Sequence, residues 1–397
     1  MKKTKLYGKT LQGIFSAVCF TVILPALGAG CSGCDISADD GNNIESKNSL
    51  LIMTWNVQNL FDGKDDGTEY PEFTEEEGWS KEKYRGRLNV IAAAIEGMGK
   101  KPDVIAMQEV ESLAVMNDLA SSLSEHGYRW TQFGKIPGMA LGVGLISRFP
   151  LTGSKSHSVY VDGEIAPRPM LEAMLVDEDN EASLVLFVCH WKSKLGGDDV
   201  TENTRRASAR IILRRLREMK ESGDNIPAIV MGDFNENYDE FYRRSGIEIC
   251  ALLPDDPRSA ELAGLYGMDE SSEETDKLIN ELQKDFIIIT KNKPPSTRFF
   301  PAGAFSMYSP WTDEVENASA AEGSGGDGTY YYRNNWETID HFLLSAELFD
   351  GKSWDFERCQ ILNSQPFASV KGFPVSYNQR TGSGLSDHLP LLLFLKK

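Results

Sequence analysis

A short apolar run that ends in a polar turn constrains the fold more than any other part of the sequence. Residues 227–231 predict a buried strand, and Gly232 then permits a tight turn. Asp233 and Asn235 follow two positions apart, so their side chains point to the same side of an extended chain. Alone, such a Gly-Asp-x-Asn sequence is more often a capped turn. At the carboxyl end of a core strand, where open α/β folds bind ligands, it predicts a polar site.

The same pattern, an apolar run that ends in polar side chains, recurs along the chain. The other polar positions are Trp55-Asn56, Gln108-Glu109, His190, Asp340-His341 and Ser386-Asp387-His388. For any one of them, a hydrogen-bonded strand end explains the pattern as well as a functional site does. Their recurrence makes that explanation poor for the whole set. Amide and carboxylate oxygens suit a hard cation such as Mg²⁺, and the best ligand candidates are Asn56, Glu109 and Asp387.

Periodicity predicts alternating strands and helices first, and mainly strands later. An amphipathic helix is predicted at 81–98, and an arginine-rich helix with a solvated basic face at 205–220. Residues 236–292 are predicted to be mostly helical and residues 301–330 to form a long loop. The pattern predicts an α/β sandwich with mixed sheets inside and helices outside.

Histidine is scarce, with five in the chain. His126 and His157 lack a strand-end context and are predicted to be surface residues, whereas His190, His341 and His388 lie at strand ends or beside an aspartate. Histidines together with carboxylates suit acid–base chemistry near neutral pH. Serine hydrolases, Walker-loop ATPases and zinc proteases are disfavoured, because the sequence lacks Gly-x-Ser-x-Gly, the Walker loop and His-Glu-x-x-His.

The amino-terminal residues are typical of a bacterial secretory signal. Four lysines precede an apolar stretch that ends in small residues before Cys31. We expect a lipoprotein-type signal peptide at 1–30, a flexible tether at 31–49 and one catalytic domain at 50–397. Lipidated Cys31 would anchor the chain to a membrane, and an uncleaved anchor is the alternative. In either case we expect an extracytoplasmic protein, membrane-anchored or secreted.

The chain is strongly acidic. Its net charge is −18, and removal of residues 1–30 takes away four lysines and no acidic residue, which leaves −22. This acidity argues against a general nucleic-acid coat protein, which has a basic surface. It does not exclude an enzyme that neutralises phosphate locally with a metal.

Taken in order, the polar clusters resemble the motifs of the endonuclease/exonuclease/phosphatase superfamily. That group includes deoxyribonuclease I, exonuclease III, neutral sphingomyelinases and inositol-polyphosphate 5-phosphatases. The resemblance covers nearly all of 50–396 and rests on residues 54–59, 105–109, 142–148, 190–194, 232–235, 339–341 and 386–390. Residues 190–194 and 330–336 look most like the bacterial extracellular nuclease-like branch.

The resemblance implies a fold and a set of roles. The fold would be a four-layer αββα sandwich of two mixed β-sheets flanked by helices, as in deoxyribonuclease I, with the site at one edge of the sheets. Mg²⁺, or Mn²⁺ or Ca²⁺, would be held by Asn56, Glu109 and Asp387. The implied catalytic residues are His190, Asp233, Asn235, Asp340 and His388.

Within that set, Asp233 and Asn235 would position the attacking water and the phosphate, and Asp340 would orient His388. His190 would bind a phosphate oxygen or protonate the leaving group. Arg168 resembles a phosphate-contacting arginine, a role it would share with Asn235 and His190, although a surface role for Arg168 is equally compatible with the sequence. Relatives vary at His341, which we leave out of catalysis.

These features predict an extracytoplasmic metal-dependent phosphodiesterase, preferably a nuclease that hydrolyses DNA or RNA. A phospholipid or inositol-phosphate hydrolase of the sphingomyelinase type is the first alternative, and a non-catalytic surface protein with the same fold is the second. Nucleic acid is thus the expected substrate, and the sequence indicates no protein partner. The long acidic segment at 236–300 departs from the family pattern and leaves the shape of the substrate groove open.

Overall fold

The computed structural model describes residues 48–176, 182–268, 272–313, 316–317 and 327–397. The predicted signal peptide, Cys31 and almost all of the predicted tether lie outside these residues. In the described ranges, no helix has both the length and the apolar character needed to cross a membrane.

Strands make up most of the regular structure in the described ranges. In chain order they are β1 (Ser49–Leu60), β2 (Val104–Val110), β3 (Trp130–Gly134), β4 (Gly142–Ser147), β5 (Leu151–His157), β6 (Tyr160–Val161), β7 (Glu164–Ile165), β8 (Met170–Val176), β9 (Ala182–His190), β10 (Ala228–Asp233), β11 (Leu252–Pro254), β12 (Ile287–Thr290), β13 (Ser306–Tyr308), β14 (Glu316–Asn317), β15 (Tyr330–Tyr332), β16 (Asn335–Glu337), β17 (Asp340–Leu344), β18 (Asp355–Ile361) and β19 (Leu391–Lys396).

The α-helices of the same ranges are fewer and of unequal length. They are α1 (Lys81–Glu96), α2 (Leu113–Ser122), α3 (Asp198–Ser222), α4 (Glu240–Arg243), α5 (Pro257–Leu262) and α6 (Glu273–Leu282). Ser80 and Ser112 cap the amino termini of α1 and α2 by accepting hydrogen bonds from backbone N–H groups of the first turn.

The strands form two large mixed sheets. Sheet A has the order β14-β18-β19-β1-β2-β4-β3, and sheet B has the order β11-β12-β13-β17-β10-β9-β8-β5. In sheet A, β1 runs parallel to β2 and antiparallel to β19. In sheet B, β10 runs parallel to β9 and antiparallel to β17. In each sheet, the two parallel strands have their carboxyl ends at the same edge: β1 and β2 in sheet A, and β9 and β10 in sheet B.

Alternation of side chains along β1 shows how the layers stack. Leu50 and Ile52 lie in the core between the two sheets, together with Leu186 and Met231 of sheet B. The intervening residues of β1 face the opposite way, into a core that sheet A shares with α1 and α2. On the far side, sheet B packs against Ile212 and other apolar residues of α3. The molecule is therefore the four-layer αββα sandwich expected from the sequence.

Two predictions about the later chain are wrong in part. Residues 236–292 contain only short helices separated by strand β11, because Pro254, Pro257 and Gly264 interrupt longer ones. These elements enclose a small core of their own. The predicted loop at 301–330 contains β13, which pairs with β12 and β17. A three-residue strand gives no periodic signal, and its stability comes from its neighbours in the sheet.

The predicted solvated face of the arginine-rich helix is also wrong at Arg205. This side chain is completely buried and forms ion pairs with Glu202 and Glu236. His157 was predicted to be on the surface, yet it is buried in β5 and contacts Glu172 at 2.6 Å. Both errors have one cause: a charged residue becomes buried when an opposite charge from another element reaches it, and sequence periodicity does not show that partner.

Candidate active site

Sheet B brings three of the predicted residues side by side. Asp233 at the end of β10 pairs in register with His190 at the end of parallel β9. On its other side, Asp233 pairs in register with Asp340, the first residue of antiparallel β17. All three side chains are at least nine-tenths buried. The register of the sheet thus fixes their order across its edge as His190, Asp233 and Asp340.

Sheet A supplies Asn56 and Glu109 at the facing edge. Pairing between β1 and β2 becomes irregular after Asn56, where Gln58 and Asn59 have positive φ angles of 56° and 58°. Glu109 has a φ of 63° and lies at an irregularity between β2 and β4. Such a conformation is uncommon for residues other than glycine, and bulges of this kind redirect side chains at active sites. The Asn59 N–H donates to Glu109 Oε2 at 2.9 Å.

Polar atoms from both sheets lie close to one carboxylate oxygen, Asp233 Oδ2. Asn56 Nδ2 donates to Asp233 Oδ2 at 2.9 Å and to Glu109 Oε1 at 3.2 Å. His190 Nε2 lies 3.4 Å from the same Asp233 oxygen and 3.7 Å from Glu109 Oε1. His388 Nε2 lies 4.0 Å from Asp233 Oδ2. The structure therefore gathers residues that are widely separated in sequence around Asp233.

Burial changes the acid–base properties of these groups. It raises the pKa of Asp233, the charge of His388 lowers it, and the charge of Asp340 raises it again, which leaves a pKa of about 7. Burial lowers the pKa of His190 well below its usual value, and the positive charges of Arg168 and His388 act in the same direction. At neutral pH, His190 is thus a neutral imidazole, and Asp233 lies near its midpoint.

His388 is held from two sides. Its Nδ1 lies 2.8 Å from Asp340 Oδ2, which also accepts a hydrogen bond of 2.5 Å from the Thr329 hydroxyl. The ring of Tyr330 stacks on the imidazole with a centroid distance of 4.6 Å. Burial lowers the pKa of His388, but the charge of Asp340 and the hydrogen bond to it raise the pKa to about 10. The imidazole therefore carries a proton at neutral pH.

Asp387 completes the acidic part of the site. Burial raises its pKa, the charge of His388 lowers it, and the charge of Glu109 raises it. A divalent cation would relieve this repulsion, and the oxygen donors of Asp387, Glu109 and Asn56 are the type that Mg²⁺ prefers. The Asn56 amide oxygen accepts a hydrogen bond from the Gln58 N–H at 3.0 Å, whereas its nitrogen faces the carboxylates. The donor set fits a hard cation, and direct ligation by Asn56 would require its amide to turn over.

Asn235 and Arg168 both reach the Trp191 backbone carbonyl. Asn235 has a φ of 50° and donates from Nδ2 to this oxygen at 3.1 Å, and the Arg168 guanidinium donates to it as well. Arg168 also lines a pocket of about 140 Å³ that is bounded by His190 and Tyr70. Arg168 is thus placed beside the predicted catalytic groups, not on a remote surface.

Several supporting residues were not recognised in the sequence. Buried Arg87 on α1 donates to the carbonyls of Val57, Gln58 and Asn59 and thereby fixes the positive-φ turn beside Glu109. Its only local signal is a basic residue on the apolar face of a predicted helix. Thr329 and Tyr70 give no such signal, because they reach the site through tertiary contacts alone. Tyr330 lies in the 330–336 stretch noted in the sequence, which gave it no role in the site.

His341 has a structural environment, which agrees with its omission from catalysis. Its ring stacks on Phe234, which in turn stacks on Trp191 with a centroid distance of 4.2 Å. Its Nε2 lies 2.8 Å from the Glu236 carbonyl oxygen, and burial lowers its pKa to about 4. This column of rings supports the turn that carries Asp233 and Asn235.

Carboxylates also cluster elsewhere. In the described ranges, ligand atoms lie within 4.8 Å of one another in the groups Asp66–Glu69–Glu111 and Glu202–Glu236–Cys250. The second group is neutralised by Arg205. Neither group contains a predicted metal ligand, and neither was recognised in the sequence.

A sequence comparison relates this chain to a known family. A sequence profile described as the Endonuclease/Exonuclease/phosphatase family matches residues 51–262, just over half of the chain. No curated protein matches the chain.

Three similar solved structures are distant in sequence. An endonuclease/exonuclease/phosphatase family protein from Bacteroides thetaiotaomicron is 15% identical, with 87% of this chain and 97% of that chain covered and a TM-score of 0.47. A mannosyl-6-phosphatase from Bacteroides thetaiotaomicron VPI-5482 is 16% identical, with 88% and 100% covered and a TM-score of 0.47. Truncated TDP2 from Caenorhabditis elegans is 12% identical, with 88% and 98% covered and a TM-score of 0.47.

Proposed function

Because this chain belongs to the endonuclease/exonuclease/phosphatase family, we propose that it is a Mg²⁺-dependent phosphodiesterase that hydrolyses DNA or RNA. One observation carries the proposal. Asn56, His190 and His388 all converge on the Oδ2 atom of Asp233, at 2.9, 3.4 and 4.0 Å. A buried carboxylate between two imidazoles is costly for folding, and groups with strongly shifted pKa values cluster at catalytic sites.

The proposed reaction consumes one water molecule. The water oxygen attacks phosphorus, the bond from phosphorus to the leaving oxygen breaks, and the leaving oxygen takes up a proton. Asp233 would accept the proton of the attacking water, since its pKa of about 7 matches the working pH of a general base. Asn235, two residues further on, would hold the water and the phosphate in place.

His388 and His190 would have different roles in catalysis. His388 is protonated through its contact with Asp340, so its positive charge would stabilise the negative non-bridging oxygens of the phosphate. His190 is neutral, so its N–H would donate a hydrogen bond to a phosphate oxygen. Of the two roles expected for His190, its lowered pKa supports phosphate binding over protonation of the leaving group.

The metal would be held by Glu109 and Asp387, with Asn56 as a further ligand. When bound, a divalent cation supplies charge neutralisation on the phosphate and activates water. The negative charge of Glu109 raises the pKa of Asp387, which supports placing both carboxylates on one cation. The long-range field of the acidic chain repels polyanions, so binding of the phosphate would depend on this cation and on Arg168.

The test compares three substrates under identical conditions. The purified protein is incubated with plasmid DNA, with RNA and with sphingomyelin vesicles, each with Mg²⁺ and each with excess EDTA. We expect Mg²⁺-dependent cleavage of a nucleic acid, abolished by EDTA and by His388→Ala. Vesicle hydrolysis without nucleic-acid cleavage would replace the proposal with a phospholipase. Inactivity on all three substrates with a folded, Mg²⁺-binding protein would refute a phosphodiesterase of this specificity.

A further inference from the structure

A small β-hairpin stands beside the catalytic histidine. β15 and β16 pair so that Tyr330 faces Glu337 and Tyr332 faces Asn335. The two-residue turn between them has positive φ angles of 48° and 67° at Arg333 and Asn334. Turns of this type match the twist of the flanking strands and give a rigid hairpin. The backbone of Tyr330 also forms a bridge with His388, which fixes the base of the hairpin to the site.

The two faces of the hairpin have different surroundings. The ring of Tyr331 packs against Trp336 and Phe373, and the rings of Trp336 and Phe373 stack at 5.5 Å. Side chains alternate along a strand, so Tyr330 and Tyr332 share the opposite face. Their rings are nearly parallel, with an interplanar angle of 17° and a centroid distance of 6.0 Å. The Arg333 guanidinium lies 5.1 Å from the centroid of the Tyr332 ring.

The face that carries Tyr330 and Tyr332 extends a row of stacked rings from the active site to the surface. The row begins at His388, passes to Tyr330 at 4.6 Å and ends at Tyr332, which is 48% exposed. An exposed ring at the tip adds little to folding, because the hairpin is already secured by the contacts of Tyr331 and Trp336. We refer to the surface formed by half-buried Tyr330 and exposed Tyr332 as the tyrosine ledge.

We propose that the tyrosine ledge binds an unpaired nucleobase next to the scissile phosphate, so that the enzyme prefers single-stranded nucleic acid. The inference rests on the proposed nuclease function and specifies its substrate. Flat, exposed rings stack on bases of any sequence, and a nearby arginine adds a cation above the stack. A base inside a duplex has both faces covered by its neighbours and cannot use the ledge.

Because the protein is strongly acidic, its affinity for nucleic acid would have to come largely from base stacking. The chain carries −18, and several of its basic groups are already paired. Lys194 forms an ion pair with Glu240, and Arg206 and Arg210 pair with Asp285. Electrostatic attraction to many phosphates is therefore weak, and stacking of bases would supply binding energy that does not depend on net charge.

The experiment separates stacking from contacts with the backbone. Two single-stranded oligonucleotides of equal length are compared, one with thymine at every position and one that is abasic at every position. The values of kcat/KM are measured with Mg²⁺ for the wild type, Tyr332→Ala and Tyr332→Trp. Tyr266→Ala is the matched control, because Tyr266 is 51% exposed and follows helix α5, which packs in a separate small core.

We expect Tyr332→Ala to lower the ratio of kcat/KM between the base-bearing and abasic substrates about tenfold, typical for loss of one base–aromatic stack. Tyr332→Trp should keep the ratio, and Tyr266→Ala should change neither value. An unchanged ratio in Tyr332→Ala, with the wild type active on both substrates, would overturn the ledge and leave the nuclease intact. A wild type that cleaves neither oligonucleotide would overturn the nuclease and the ledge together.

Discussion

Replacement of Asp340 by asparagine tests the charge that holds His388. Asp340 is almost completely buried, and its Oδ2 atom accepts hydrogen bonds from His388 Nδ1 at 2.8 Å and from the Thr329 hydroxyl at 2.5 Å. Asparagine has the same shape but no charge. If its amide nitrogen faces the imidazole, His388 must turn or give up its Nδ1 proton. In either case the positively charged His388 that faces Asp233 is lost.

The expected loss of activity follows from two magnitudes. A hydrogen bond to a charged group contributes about 1.5–3 kcal/mol, which corresponds to a factor of about 10–150. An acid–base or charged catalytic group contributes about 10²- to 10⁴-fold. We therefore expect Asp340→Asn to lower kcat by about 10²-fold or more. Folding should change little, because the Thr329 hydroxyl, which now donates to Oδ2, can accept a hydrogen bond from the new amide nitrogen, and repulsion with Asp233 is relieved.

The assay combines steady-state kinetics on a single-stranded oligonucleotide with thermal unfolding. Asp103→Asn is a matched control. Asp103 is also a buried aspartate, it accepts from the Leu51 N–H at 2.9 Å and pairs with Arg148 at 2.8 Å, and it precedes β2 at the end opposite to Glu109. Asp103→Asn should lower stability and leave kcat unchanged. The reasoning is refuted if Asp340→Asn keeps kcat within threefold of wild type, or if Asp103→Asn loses as much.

Further predictions concern the metal, the histidines, acid stability and salt. Glu109→Ala should remove most activity and the rise in melting temperature caused by Mg²⁺, without changing the melting temperature in EDTA; an undiminished Mg²⁺ response would contradict its role as a ligand. His190→Ala should lower kcat by roughly 10²-fold, whereas His126→Ala should have no effect, and equal losses would discredit the assignment from strand-end context. Burial raises the pKa of Glu172, but hydrogen bonds from Arg215 and His157 lower it to about 2. The ionised Glu172 side chain therefore stabilises the fold above its usual pKa of 4.5, and this stability should be lost as pH falls through 2. The expected loss of unfolding free energy is on the order of 3 kcal/mol. Glu172→Gln should flatten that part of a plot of unfolding free energy against pH, and an unchanged slope would count against the prediction. The logarithm of DNA affinity should depend weakly on the logarithm of salt concentration, equivalent to about two to four phosphate contacts, and a steep slope would show a larger basic surface than we infer.

Much of the site could be predicted because its residues lie at the ends of apolar runs. Asp233 and His190 end neighbouring parallel strands, and parallel register brings such ends together at one edge. Asn56 and Glu109 lie toward the carboxyl ends of parallel β1 and β2 in the other sheet. The local pattern could not predict that these edges of the two sheets meet, because their meeting depends on how the sheets pack. The resemblance to a known superfamily supplied that part.

Other features depend on partners that no local pattern reveals. His157 is buried because Glu172 of β8 reaches it, and Arg215 of α3 in turn pairs with Glu172, so its sequence neighbours do not predict its environment. Arg87 is buried because three backbone carbonyls of a positive-φ turn need a donor. The short strands β11 and β12 contribute Leu253 and Ile288 to a separate small core. In each case a long-range contact overrides local propensity.

The position of β19 has a consequence for when the protein can act. This strand lies between β1 and β18, and the Trp55 indole donates to the His388 carbonyl at 3.0 Å across 333 positions of the chain. A partly synthesised chain already contains Glu109 and Asp233 but lacks Asp387 and His388. Since β19 must enter the middle of its sheet before those residues are in place, we expect the nascent polypeptide to be inert on the ribosome and to become active only when its folding is complete.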